Sequence, residues 1–222
     1  MPYISNENIL FIHIPKTGGT SVEFFFDMTK ISNFFSDKWG QEKAAFIQKY
    51  PVLTELGRVN FEPQHFAPEI LSRLIPNYST YFSFTFVRNP YTRILSEYFW
   101  EEEIVRNSKM HDFDTYRFHR WCENYLKELN SSHKIPQVEY IDTHIDFIGK
   151  YENMENDFNR LIDLLCKKSN TFLVYKNRRL DWKNKTTHNK DKLSQQLLTD
   201  TKKLIYYTYK EDFRVLKYDS QL

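Results

Sequence analysis

Residues 8–23, NILFIHIPKTGGTSVE, constrain the fold of this chain more than any other stretch. Residues 9–14 are a short apolar run rich in β-branched side chains, the pattern of a buried strand. Pro15 ends the run, the turn Lys16-Thr17-Gly18-Gly19-Thr20-Ser21 follows, and VEFFFDMTK reads as a helix. Strand, tight glycine turn and helix bring backbone N–H groups and the positive end of a helix dipole to one point, an arrangement that holds anions. Gly18 and Gly19 permit a left-handed backbone and a close approach to it. Thr17, Thr20 and Ser21 offer hydroxyls and Lys16 a point charge, so the segment reads as a phosphate-binding loop.

The rest of the chain alternates strands with helices. Residues 81–87, YFSFTFV, are aromatic and β-branched and read as a second strand. Arg88-Asn89-Pro90 closes it, and Pro90 suits the first turn of a helix YTRILSEYFWEEEIV. Arg88 therefore stands at the carboxyl end of a strand, where open parallel sheets bind their ligands. Ser96 follows about two turns into the helix at 3.6 residues per turn, and Arg93 falls on another side of it. Residues 144–151 alternate like a third strand. Further helices are expected near 41–49 and over 69–74, 114–129, 155–168 and 191–209, with the EEE run at 101–103 as an exposed helix end and 176–192 as a basic loop. This order argues for a single α/β domain over residues 1–222, of P-loop type, with a central mostly parallel sheet flanked by helices.

Composition narrows the function. The net charge of +2 lacks the basic excess of a nucleic-acid binder. Two cysteines, Cys122 and Cys166, stand far apart without metal or redox spacing and read as reduced thiols. No apolar run reaches the roughly 18–20 residues of a membrane helix, and the N-terminus shows no signal-peptide pattern, so a cytoplasmic location is expected.

The loop does not follow the nucleotide-triphosphatase order, because Lys16 precedes the glycines instead of following them. PKTGGTS after a first strand resembles the 5′-phosphosulfate loop of sulfotransferases that use 3′-phosphoadenosine 5′-phosphosulfate (PAPS). Within them it is most similar to the branch with the heparan and chondroitin sulfotransferases and many bacterial relatives. Strand–RNP–helix with Arg88 and Ser96 resembles the second signature of that family, which holds the 3′-phosphate. The segments 145–165 and YYTYKEDFRVLKY extend the similarity to residues 9–218. The animal Golgi members differ in carrying an N-terminal membrane anchor.

The resemblance implies transfer of a sulfuryl group from PAPS, without a metal, to a hydroxyl acceptor, by preference a carbohydrate. It places Lys16, Thr17, Gly18, Gly19, Thr20 and Ser21 on the 5′-phosphosulfate, Arg88 and Ser96 on the 3′-phosphate, and Lys185 and Thr186 in a late loop closing over the nucleotide. Lys16 would stabilise the leaving phosphate. His65, in EPQHFAPE, aligns with the family's catalytic histidine and would take the acceptor proton, with Glu62 as the other candidate base. His13 reads as a packed strand residue, and His111, His119, His133 and His144 show no site spacing. Two other readings remain: an ATP-dependent small-molecule kinase, which would need Mg²⁺, and a non-catalytic nucleotide-binding protein, which would have no use for a base.

Overall fold

The structure is a computed structural model describing residues 3–4, 8–28, 47–48, 50–106, 112–181 and 188–220. Strands β1 (Tyr3–Ile4), β2 (Ile9–Ile12), β3 (Phe82–Val87) and β4 (Ile145–Lys150) form one sheet in that order. β1 runs antiparallel to β2, while β2, β3 and β4 are parallel neighbours. Helices α1 (Gly19–Phe25), α2 (Val52–Glu55), α3 (Pro68–Leu74), α4 (Pro90–Trp100), α5 (Thr115–Tyr125), α6 (Met154–Lys168), α7 (Lys190–Gln195), α8 (Thr199–Thr208) and α9 (Lys210–Val215) surround it.

The parallel strands follow from their residues. β2 is buried at every position and β3 at all but its first, as expected of strands covered on both faces. Side chains alternate between the two faces. Leu10 and Ile12 enter a cluster with Leu53, Phe66 and Ile70, whereas Ile9 and Phe11 meet Phe84, Phe86, Phe158 and Leu161 on the other side. A third cluster joins α4, α5, α8 and α9 through Leu95, Phe99, Phe118, Cys122 and Ile205. β4 alternates because one of its faces meets solvent, with Ile148 exposed. The parallel pairing has a decisive consequence for function: the carboxyl ends of β2 and β3 open onto the same edge of the sheet, side by side.

Three expectations change. The helix expected over 191–209 is two helices, because Leu198 adopts an extended backbone and Leu197 turns into the third cluster. The EEE run is no exposed helix end. α4 widens there into a π-helical turn, Glu101–Val105, which carries Glu102 inward to Arg106 and Arg117 and Glu101 to the indole N–H of Trp121. β2 ends at Ile12, two residues short of the apolar run. The helix expected near 41–49 lies largely outside the described residues. Among those described, no helix is long and apolar enough to cross a membrane.

Candidate active site

The turn after β2 is built on two left-handed residues, Lys16 at φ 68° and Gly18 at φ 88°. Thr17 is fully buried and its hydroxyl donates to the Ile14 carbonyl over 2.9 Å. That hydroxyl fastens the turn. The Ser21 N–H closes the first turn of α1 on the Gly18 carbonyl at 3.0 Å, and Ser21 is buried. Thr20 and Gly18 remain half-exposed. Both glycines are also required sterically. A Cβ at Gly18 would stand 2.9 Å from Met154 Cε, and one at Gly19 only 2.1 Å from His13 Cδ2.

Arg88, at the end of β3, is 5% exposed and rigidly held. Its N–H donates to Gln137 Oε1 and its carbonyl accepts from Gln137 Nε2, both at 2.8 Å. Gln137 is in turn fixed by Asp212, which also accepts the backbone N–H groups of Gln137 and Val138. The guanidinium donates through Nε to Thr92 at 3.0 Å and through Nη1 to the Lys16 carbonyl at 3.2 Å, and stacks 3.9 Å above the Tyr151 ring. Nη2 has no acceptor among the described residues. Thr92 and Ser96, four residues apart on α4, share the helix face that Arg88 touches; Ser96 is half-buried.

Three cations converge here. Burial lowers the pKa of Lys16 to about 8, Glu97 opposing the shift and Arg88 and Lys190 adding to it. Lys190, at the start of α7, is likewise brought to about 8 by burial and by Arg88. Burial lowers Arg88 as well. Desolvation is the main cause in all three, so each cation here is held in a buried setting where an anionic ligand would restore its charged form. The Lys16 ammonium rests 4.7 Å from the centroid of Trp100.

A row of histidines adjoins Lys16. His13 Nδ1 lies 2.6 Å from Glu23 Oε1, and both are buried. The His13 ring meets His65 at 4.4 Å, His65 meets His133 at 5.1 Å, and His133 meets Trp100 at 5.8 Å. His65 is 3% exposed, which excludes a surface role. Its Nδ1–H donates to the His13 carbonyl at 2.8 Å, so Nε2 carries the lone pair and accepts from the Gln64 amide at 2.9 Å. Burial, reinforced by His13 and His133, holds its pKa well below the ordinary histidine value. His133 behaves oppositely. Burial disfavours its charge, but Glu97 and Glu62 outweigh that and raise its pKa to about 9. Its Nδ1–H donates to both Glu97 oxygens, at 3.0 and 2.9 Å, and its Nε2 lies 3.6 Å from Glu62 Oε2. Glu62 sits 4.0 Å from His65 Nε2 and is held below the usual carboxylate range by His133 against its own desolvation.

Arg93 binds these parts together. Completely enclosed, it donates to the carbonyls of Pro15, Ile135 and His133 at 3.3, 3.1 and 3.0 Å.

A family model described as the Sulfotransferase family matches residues 3–219. The chain belongs to the sulfotransferase family. No curated protein and no solved structure matches it. The fold of this sulfotransferase brings Lys16, Gly18, Gly19, Thr20, Ser21, Arg88 and Ser96 to one sheet edge, and His65 and Glu62 beside them through contacts with His13 and His133. Lys185 and Thr186 lie outside the described residues. Sequence reasoning gave no role to His133, Glu97, Trp100, Lys190 or Gln137. Arg93, Glu97 and Trp100 are spaced at i, i+4 and i+7, so a buried face of α4 was legible in principle. His133 sits in irregular chain and Gln137 at the start of a short 3₁₀ turn, Gln137–Tyr140, where only the folded contacts reveal them.

Proposed function

We propose that this sulfotransferase, as a single domain, moves the sulfuryl group of PAPS to a hydroxyl of a carbohydrate acceptor. The observation that supports PAPS most directly is the convergence of Lys16, Arg88 and Lys190 on one sheet edge with Arg88 Nη2 left to bind an anion. In this reading Arg88 and Ser96 receive the 3′-phosphate, and the backbone of residues 16–21 receives the 5′-phosphosulfate. The S–O bond to the 5′-phosphate breaks as the acceptor oxygen bonds to sulfur. Lys16 meets the negative charge developing on the departing phosphate oxygen. The acceptor proton passes to His65 Nε2: burial keeps the ring neutral, the bond from Nδ1–H to the His13 carbonyl leaves the lone pair on Nε2, and the Gln64 amide that occupies it yields to the acceptor. Adenosine 3′,5′-bisphosphate leaves.

Glu62 is the alternative base, favoured by its exposure: its side chain is 41% accessible against 4% for His65. A carbohydrate acceptor accords with Trp100 beside Lys16 and His133, since an aromatic face suits a sugar ring.

Calorimetric titration with adenosine 3′,5′-bisphosphate, without metal and against ATP and AMP, tests the donor. The bisphosphate should bind preferentially, and Arg88→Ala should weaken it about 10–100-fold, the value of one charged hydrogen-bonding group at about 1.5–3 kcal/mol. Lys16→Ala should abolish turnover with the fold intact. Binding of ATP with Mg²⁺ but not of the bisphosphate would transfer the case to a kinase, and binding of neither would remove the donor site. His65→Ala and Glu62→Gln, compared for turnover and its pH profile, separate the two bases.

A further inference from the structure

We propose that Glu62, His65 and His133 form a site for a divalent transition ion, with zinc the fitting case, and that the bound ion blocks the base and halts transfer. One ligand atom from each of the three residues lies within 4.8 Å of the other two. Glu62 Oε2 stands 3.6 Å from His133 Nε2 and 4.0 Å from His65 Nε2. Ligand atoms around a tetrahedral zinc, at about 2.0–2.2 Å from the metal, are separated by roughly 3.4 Å. Glu62, the half-exposed member just before a short 3₁₀ turn, can close its own two sides by well under an ångström each, while the side between the two imidazoles, within 4.8 Å, closes by up to about 1.4 Å shared between the rings.

The far sides of the two imidazoles supply the second, independent observation. Histidines that bind metals donate their other ring N–H to a carboxylate or a backbone carbonyl, which fixes the tautomer and aims the lone pair. His65 gives its Nδ1–H to the His13 carbonyl at 2.8 Å, and His133 gives its Nδ1–H to Glu97 at 2.9 Å. Both Nε2 atoms are thus presented to Glu62 by partners that are themselves buried. Two imidazoles and one carboxylate select zinc-like ions over Mg²⁺ or Ca²⁺, which prefer oxygen alone. Three protein ligands leave a fourth position for water, as in open zinc sites.

Binding exchanges one proton for the ion. The Nε2 proton that His133 holds toward Glu62 leaves to solvent, and the Gln64 amide withdraws from His65 Nε2. That lone pair then belongs to the metal and can no longer accept a proton. The ion takes no part in sulfuryl transfer; it competes with it.

The test is calorimetric titration of the full chain, stripped of metal, with zinc chloride. One ion per chain is expected. Glu62→Gln, at the most accessible ligand, should weaken binding about 10–100-fold, as should Glu97→Gln, a positioning residue acting through His133. X-ray absorption at the zinc edge should show nitrogen and oxygen ligands only. No binding, sulfur in the coordination shell (which would point to Cys166), or unchanged affinity in both variants with wild-type melting would each overturn the site. These readouts need no sulfuryl donor, so they stand even if the assigned donor is wrong. Where transfer is measurable, zinc should inhibit it and a chelator restore it; undiminished transfer in the zinc-loaded protein would overturn the blockade.

Discussion

Replacing Gly19 by alanine should destabilise the protein far more than its single methyl suggests. The new Cβ would lie 2.1 Å from His13 Cδ2, 2.2 Å from Nε2 and 2.8 Å from Cγ. Carbon atoms in contact keep about 3.5–4.0 Å, so the imidazole must retreat by more than an ångström. It has nowhere to go. Nδ1 is bonded to Glu23 at 2.6 Å, one face stacks on Phe11 at 5.4 Å and an edge meets His65 at 4.4 Å. If the ring stays, overpacking costs about 1–3 kcal/mol. If it leaves, the buried His13–Glu23 hydrogen bond is lost, at about 1–3 kcal/mol. These are alternative ways to relax, so the expected loss is about 3 kcal/mol, the upper end of either range, and not their sum. Gly57→Ala is the control: its φ is 65° with nothing within 4 Å of a Cβ, leaving only left-handed strain of about 1–2 kcal/mol. Urea unfolding followed by tryptophan fluorescence measures both. His13→Ala should relieve much of the Gly19→Ala defect, giving strong coupling in a double-mutant cycle. A Gly19→Ala protein as stable as Gly57→Ala, or one whose defect simply adds to that of His13→Ala, would refute the reasoning.

Two pH effects follow from the same site. Lys16, with its pKa lowered to about 8, is charged below that value and neutral above it, so transfer should fall as pH rises through about 8. Lys16→Arg keeps its charge and should flatten that limb at a lower rate; a wild-type rate level well into the alkaline range would contradict the role given to Lys16. His133 is raised from 6.5 to about 9, so its charged form stabilises the fold fully below 6.5 and that contribution disappears as pH climbs through 9. At 1.36 kcal/mol per unit the contribution is about 3 kcal/mol. The gap in unfolding free energy between wild type and His133→Asn should shrink by about that amount across this window, and a constant gap would refute it.

The sheet and the donor edge were legible because they are local. The β-branched run of β2 and the aromatic run of β3 declare buried strands, and the residues that follow each strand must share an edge once the strands are parallel. Ser96 was singled out through the resemblance, and helical spacing puts it on the face of α4 that carries Thr92. The bond of the Thr17 hydroxyl to the Ile14 carbonyl was not legible, because a hydroxyl in a glycine turn looks the same in sequence whatever it bonds. The inward turn of Glu102 depends on Arg117, fifteen residues away on another helix, and no local pattern announces such a pair. His133 lies still further out of reach. Its charge is decided by Glu97 and Glu62, 36 residues and more from it along the chain. His65 was found through its resemblance; its tautomer, which decides which nitrogen can act, came only with the His13 carbonyl.

Arg93 gives the molecule a mechanical property as well as a chemical one. One guanidinium grips Pro15, at the root of the glycine turn, together with Ile135 and His133. The glycine turn and the segment that carries His133 are therefore surveyed from a common benchmark. A displacement of one registers on the other, through a single buried side chain.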